Sequence, residues 1–414
     1  MHAMVKTERT HYYSPSIYVT MKVLIKPAVS FAQLKEAIKR ATTAYDILNC
    51  KIQANEKGEV FYIPIKEPII NITENETLHQ ESMPFAFEEG ELIRYSIAQK
   101  VEGTRLTIIA HHLIGDGKSL VLHIRNIMKA LGNPEIAFET LPVKTLGVED
   151  LPKDIKLSPI IKLMVKFANW SWKKRGKIFS YQEYLHMFNQ FWETRHTHLL
   201  QAEIKGSALK RLMNKCKAQQ VTVNSAIITA FLLASKEKHA GIAVNIREAE
   251  DEHLGNYASG ISIQASLNPD LNFWENARTV HKLIYTKLNN EQAVYFLLKF
   301  LGELSPTLID ATYFAAFDQY NNNLAKKMSH MFGYDGEAKG ISVTNLTKVN
   351  IPSVYGDYTL SELVFIPPLV ANAKRVIGVV TLEDTMTITM KFDKEKTTEM
   401  KVVFEEAMSK LVNF

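Results

Sequence analysis

The stretch 104–117, Thr104-Arg-Leu-Thr-Ile-Ile-Ala-His111-His112-Leu-Ile-Gly-Asp116-Gly117, constrains the fold more than any other part of the chain. It opens as a strand over 104–112, in which Leu106, Ile108 and Ala110 alternate with Thr107, Ile109 and His111. Continued one residue further, the alternation puts His112 with the Leu106 set and His111 on the opposite face. Gly115 and Gly117 supply the backbone freedom of a tight exit. From Lys118 onward, Leu120, Val121, Ile124, Ile127, Met128 and Leu131 recur at helical spacing. The unit is therefore strand, turn and helix. A histidine sits near the mouth of a core strand, and a carboxylate follows in the loop.

That arrangement suits general-base chemistry. A neutral imidazole, with an ordinary pKa of about 6.5, takes a proton at cell pH. The loop carrying Asp116 is placed to hold it through a buried ion pair. Two other readings stand beside this one. Adjacent histidines at a strand end also serve as surface or satisfied core residues. Imidazole and carboxylate also bind metal, but neighbours on a strand point to opposite faces, so His111 and His112 do not readily share an ion.

A chain of 414 residues exceeds one ordinary core, and two domains are expected. Hydrophobic content of 46% and charged content of 22% are those of a soluble globular protein. A net charge of +5 admits an anionic ligand but does not argue for nucleic acid. The two cysteines, Cys50 and Cys216, form neither a disulfide framework nor a zinc ribbon and suit a reducing compartment. With no apolar signal core and no run of eighteen apolar residues, a cytoplasmic location is expected.

Strands are predicted at 16–26, 49–54, 59–64, 68–72, 92–99 and 104–112, with a helix capped by Ser30. The segment 73–90 is acidic and irregular. These elements suggest a first α/β lobe over 1–150. Residues 151–195 differ: Lys153, Lys156, Lys162, Lys166, Lys173, Lys174, Arg175 and Lys177 interleave with Ile160, Leu163, Phe167, Trp170 and Trp172. We read this as a linker helix packed on a lobe with its lysines solvated. Peripheral contact with an anionic membrane through 153–177 is the second reading, and contact with carrier phosphates a third. A second lobe over 196–414 follows. It contains strands at 198–204, 242–247, 341–346, 359–366, 374–382 and 386–392. Its helices run from Ser207 and over 225–235, 271–289, 291–303, 307–329 and 394–412. Thr222 or Asn224 caps the second of these, and Cys216 occupies a core position.

His111-His112-x-x-x-Asp116-Gly117 resembles the HHxxxDG signature of the chloramphenicol acetyltransferase-like acyltransferase superfamily, which includes alcohol acetyltransferases and nonribosomal-peptide condensation domains. Later landmarks keep the order of that family. Val221-Thr-Val-Asn224 resembles its segment after the lobe crossover. Asn245-Ile-Arg247 with Leu254-Gly-Asn256-Tyr257 resembles its strand-end arginine and Gly-Asn motif. Ser342-Val-Thr344-Asn345-Leu346 resembles its Ser-Asn-Leu-Gly segment, with Thr347 where Gly is usual. The Asp-Phe-Gly-Trp-Gly motif of plant acyltransferases has only a loose echo in Met331-Phe-Gly333-Tyr-Asp-Gly336.

The resemblance implies two α/β sandwich lobes with an active-site channel between them. It implies His112 as general base in transfer of an acyl group from acyl-CoA or an acyl-carrier thioester to an alcohol or amine. Asp116 is then structural, paired with Arg247, while Gly117 allows close approach of the loop and His111 is supporting. Asn345, Ser342 and Thr344 are candidate oxyanion donors, and Asn256 a candidate channel residue. No metal is implied. The acceptor is a small molecule or lipid, and an acyl or peptidyl carrier protein is a candidate partner. Two alternatives accompany this reading: a free-standing condensation-type enzyme forming amides or esters in natural-product synthesis, and a non-catalytic recruitment relative of the same fold.

Overall fold

The computed structural model describes residues 2–75, 80–268, 270–334, 340–371 and 373–413. The acidic segment 73–90 and the Met331–Gly336 echo lie partly outside them. The chain opens with strand β1 (Ala3–Met4), a single 3-10 turn (Thr7–His11), β2 (Tyr18–Lys26) and helix α1 (Phe31–Thr42). Ser30 and Gln33 close a reciprocal capping box on α1. β3 (Cys50–Ala54) and β4 (Val60–Pro64) form the hairpin signalled by Asn55-Glu-Lys-Gly58, with Gly58 at φ +78°. β5 (Asn71–Glu74), β6 (Ile93–Lys100), β7 (Gly103–His111) and α2 (Gly117–Gly132) complete this part.

Two helices, α3 (Pro159–Arg175) and α4 (Tyr181–Thr194), lead to β8 (Thr197–Lys205), α5 (Ser207–Ala218), α6 (Val223–Ser235), β9 (His239–Asn245) and β10 (Ala258–Gln264). Next come α7 (Phe273–Leu288), α8 (Glu291–Glu303), α9 (Pro306–Ala316) and α10 (Asn323–Phe332). The chain ends with β11 (Ile341–Lys348), β12 (Val354–Tyr355), β13 (Tyr358–Ile366), β14 (Arg375–Leu382), β15 (Thr385–Asp393) and α11 (Thr397–Val412).

Among the described residues there are two six-stranded sheets, ordered β12-β13-β2-β7-β6-β5 and β10-β9-β11-β14-β15-β8, and a small sheet β1-β4-β3. In the first, β7 lies between β2 and β6, so the histidine-bearing strand is central. Tyr18 is paired with His111 and Ile93 with Ala110. Leu120, Val121, Ile124, Ile127 and Met128 of α2 join α1 in the first hydrophobic core. α5, α6, α7 and α11 cover the second sheet and build a separate core, with Cys216 buried in it. There burial pushes the Cys216 thiol up to about 11 and leaves it unreactive.

The expected boundaries need correction. β12 and β13 fall inside 196–414, yet β13 pairs antiparallel with β2 and extends the first sheet. Leu360, Leu363 and Phe365 enter the first core, as do Leu308 and Phe314 of α9 and Met328 of α10. The second half of the chain thus reaches back over the first lobe. β13 also ties the sheets together, because Thr389 on β15 donates to the Phe365 carbonyl at 2.7 Å. The helix expected over 307–329 is two helices. The chain breaks at Asp318, whose φ is +57°, and restarts under an Asn322 cap. The helices of 151–195 pack on the first core through Val165, Ala168, Trp172, Tyr184, Met187 and Phe188.

Candidate active site

β7 stops at His111. The next residues, His112–Ile114, make one 3-10 turn, so the strand alternation does not extend to His112. His111 is fully buried, ringed by Tyr18, Phe85 and Phe87 at centroid distances of 5.7, 6.1 and 5.6 Å. Its Nδ1 accepts the Leu113 N–H at 3.2 Å, and the Leu113 carbonyl accepts the Tyr62 hydroxyl at 2.7 Å. Burial, reinforced by the neighbouring His112, lowers the His111 pKa to about 3. It is a neutral residue that fixes the turn.

His112 is only part-buried. Burial lowers its pKa, and the Asp116 carboxylate opposes that shift. The imidazole is therefore neutral at pH 7, the form a general base needs. Beside it lies His11, from the N-terminal 3-10 turn, with ring centroids 4.5 Å apart and planes inclined by 30°. The side chain of Asn256, in the loop between β9 and β10, is hydrogen-bonded to His11 Nε2 at 3.0 Å. Burial, then repulsion from His112 and His111, holds His11 well below the usual imidazole range. Arg9 anchors this turn from the other side: its Nε donates to Asp310 of α9 at 2.8 Å, in an ion pair with both side chains 2% exposed.

Asp116 does not bond His112. It is the N-cap of α2, and its Oδ1 accepts from Ser119 N at 2.9 Å and Ser119 Oγ at 3.1 Å. Arg247 Nη2 lies 3.4 Å from the same oxygen, and Oδ2 accepts from Tyr257 N at 3.0 Å. Arg247 also donates to Ser119 Oγ at 2.8 Å, to the Gly255 carbonyl at 3.2 Å and to the His253 carbonyl, and it stacks 4.1 Å over the Tyr257 ring. The motif loop and the 253–257 loop are thus joined by one buried polar network.

Glycine is needed at both loop positions because of space. A Cβ on Gly115 would lie 2.4 Å from the Ser119 Cβ. One on Gly117 would lie 2.8 Å from Phe365 Cε2 and 2.9 Å from Leu346 Cδ2. β11 and β13 therefore press directly against the start of α2. On β11, Ile341 and Val343 enter the second core, so Ser342 and Thr344 share the opposite face with Leu346, the residue that touches Gly117. Asn345 donates to Asn224 at 3.0 Å and accepts from Thr347 N at 2.7 Å.

Asn345 also lines a cleft of about 880 Å³ in the second lobe, with apolar walls that include Leu209, Met213, Val244, Ile284 and Met386 and with Lys210, Lys348, Glu383 and Asp384 as its charged lining residues. That size and lining suit a mostly apolar ligand; the lysines are balanced by the two acids, with Lys348 3.8 Å from Glu383. Neither Ser342 nor Thr344 lines this cleft. Sequence reasoning passed over His11 and the Asn224 contact. The run Thr10-His11-Tyr12-Tyr13 is the sole local signal for the former, and nothing in it points to a residue a hundred positions away. Among the described residues, no three His, Cys, Asp or Glu side chains gather as a metal site.

No family model and no curated protein matches the chain. Solved structures do. Polyketide synthase associated protein 5 from Mycobacterium tuberculosis superposes with a TM-score of 0.64 at 10% identity, covering 100% of this chain and 98% of that one. The epimerization domain from the third module of tyrocidine synthetase B gives 0.60 at 12% identity, over 100% and 96%. The first condensation domain of the CDA synthetase gives 0.59 at 11% identity, over 99% and 96%. The chain has the two-lobed chloramphenicol acetyltransferase-like fold of condensation domains.

Proposed function

We propose that this protein is an acyltransferase that moves an acyl group from a thioester to an alcohol or amine, with His112 as general base. The observation that carries this is the contrast within the pair. His111 is sealed in an aromatic cage, while His112 stays part-exposed and neutral, its ring beside His11, which Asn256 from the second half of the chain contacts. A module kept only for recruitment has no need of such a base.

In the proposed step, the acceptor O–H or N–H gives its proton to His112 as its heteroatom attacks the thioester carbonyl. The C–S bond then breaks, and the imidazolium returns the proton to the departing thiolate, giving ester or amide plus free thiol. The tetrahedral oxyanion needs donors. Ser342 and Thr344 are the better candidates, because the Asn345 amide is engaged with Asn224. The second-lobe cleft, which Asn345 lines, is proposed to take the apolar acyl chain alone, while the thioester carbonyl and its carrier, either CoA or the phosphopantetheine of a carrier protein, lie outside it on the His112 side.

Thiol release from a panel of acyl-CoA donors, with alcohol and amine acceptors, tests the reading. His112→Ala should lower turnover by about 10² to 10⁴ in a protein that still unfolds cooperatively. Turnover insensitive to that substitution, or no thiol release with any donor–acceptor pair, including carrier-bound acyl groups, would overturn it. The epimerization domain shares this fold at a similar TM-score, so the fold alone does not select acyl transfer, and the assay does.

A further inference from the structure

α3 carries two apolar stripes. One, formed by Ile161, Val165, Ala168 and Trp172, packs inward, and the Trp172 indole N–H donates to Thr307 at 2.8 Å. Asn169 clamps the α8–α9 loop from the same helix, donating to the Glu303 carbonyl at 2.9 Å and accepting from Ser305 N at 2.8 Å. The other stripe points out. Ile160, Leu163, Met164, Phe167 and Trp170 recur at three- and four-residue spacing and are 83, 69, 38, 62 and 56% exposed. The inner stripe and the clamp hold the helix in place, so the outer stripe is a fixed feature of the surface.

The charge along α3 itself has one sign. Lys162, Lys166 and Lys173 are exposed along one edge, and Lys174 Nζ sits 3.6 Å over the Trp170 ring. Lys153 and Lys156 continue the basic field towards the N-terminal end, and Asp154 is the one acid between 151 and 180. A row of exposed bulky aliphatic and aromatic side chains edged by lysines matches the boundary between headgroups and acyl chains. There the apolar tips enter the acyl region, the indole sits at the interface and the ammonium groups meet phosphate. No described helix is long and apolar enough to cross a membrane, so α3 would lie on the surface.

We infer that the outer face of α3 is a docking surface for an anionic lipid bilayer. The occupant is the bilayer, on the strength of charge complementarity together with exposed Phe167 and Trp170. This inference does not depend on the acyl-transfer reading.

Co-sedimentation of the full chain with vesicles tests it, using phosphatidylcholine alone and phosphatidylcholine with a third phosphatidylserine. Pelleting with the anionic vesicles and little with the neutral ones is expected. Phe167→Ser with Trp170→Ser should lower the partition at least tenfold. Lys162→Gln, Lys166→Gln and Lys173→Gln together should lower it about a hundredfold at low salt. All five side chains are exposed, so unfolding temperatures should hold. Quenching of tryptophan fluorescence by brominated acyl chains should occur in the wild type and largely vanish in Trp170→Ser. Absence of binding to anionic vesicles, or binding indifferent to both variant sets, would overturn the proposal. So would a concentration-dependent dimer that Phe167→Ser dissolves in the absence of any vesicle binding, which would assign the face to a second copy.

Discussion

Arg247 and Asp116 meet at 3.4 Å where the motif loop touches the second half of the chain, with side chains only 2% and 9% exposed. Removing Arg247 leaves a buried carboxylate without its cation, and removing Asp116 leaves the reverse, each costing about 3–5 kcal/mol. Asp116 also caps α2, a further contribution of about 1 kcal/mol. Asp116→Ala should therefore destabilise more than Asp116→Asn, which keeps the cap oxygen. Urea denaturation of both variants, of Arg247→Ala and of the Asp116→Ala/Arg247→Ala double variant checks this. The double variant should be less destabilised than the two singles summed. An Arg247→Ala within about 0.5 kcal/mol of wild type would show that the network does not hold the seam.

Buried histidines make stability depend on pH. His111 and His123 are lowered to about 3 by burial, and His11 and His112 are lowered too. In the unfolded chain each titrates near 6.5, so below that pH the unfolded state binds more protons. Their contribution is complete above pH 6.5 and is lost as pH falls towards 3. Burial raises the Glu8 carboxyl to about 7, with the opposite sign: its contribution is present below about 4.5 and lost as pH rises through 7. His123 bonds the Tyr95 hydroxyl at 2.7 Å, away from the proposed chemistry. His123→Gln should flatten the acid limb of the stability curve between pH 6 and 4 by about 1.4 kcal/mol per pH unit. Urea midpoints across that range measure the slope, and an unchanged slope would mean that His123 is charged in the fold.

Gly117 shows how tightly three elements converge on the motif. A methyl group there would stand 2.8 Å from Phe365 and 2.9 Å from Leu346. Gly117→Ala should cost about 1–3 kcal/mol through overpacking. Phe365→Leu shortens one of the obstructing side chains, so Gly117→Ala should cost less in that background. Equal costs in the two backgrounds would place the strain elsewhere.

Local chemistry was readable along most of the chain. Ser30 caps α1 as its sequence predicts, Thr222 is the one of the two candidates, Thr222 and Asn224, that caps α6, and Cys216 lies in the second core. These features are set within a few residues, by a side-chain oxygen three positions from an orphan N–H or by an apolar stripe. The contacts that define the site are set over long distances. β13 reads as one more second-lobe strand, because nothing local names its partner, and the register shift between Leu360 and Glu362 that brings both Leu360 and Leu363 into the first core arises in its pairing with β2, more than three hundred residues away. The helix break at Asp318 was hidden because the apolar period runs on through Phe314 and Leu324. His11 reaches the site through the Arg9–Asp310 pair, and neither partner carries a pattern that names the other.

Thr347 adopts the left-handed conformation at φ +59°, the region natural to the glycine usual at this point of the resembling motif. A β-branched residue there costs roughly 1–2 kcal/mol. The turn survives because Thr347 N donates to Asn345 Oδ1 at 2.7 Å. Thr347→Gly keeps that N–H and removes the Cβ clash, while adding unfolded-state entropy worth roughly 0.5–1 kcal/mol. The first effect is the larger, so the variant should gain up to about 1 kcal/mol, read as a higher urea midpoint at unchanged slope. Thr347 is exposed and lines the cleft, so removing its side chain enlarges the space there. The same substitution should therefore widen the range of acyl donors accepted without lowering turnover of the best one. A loss of stability would mean that the threonine side chain makes compensating contacts in the cleft.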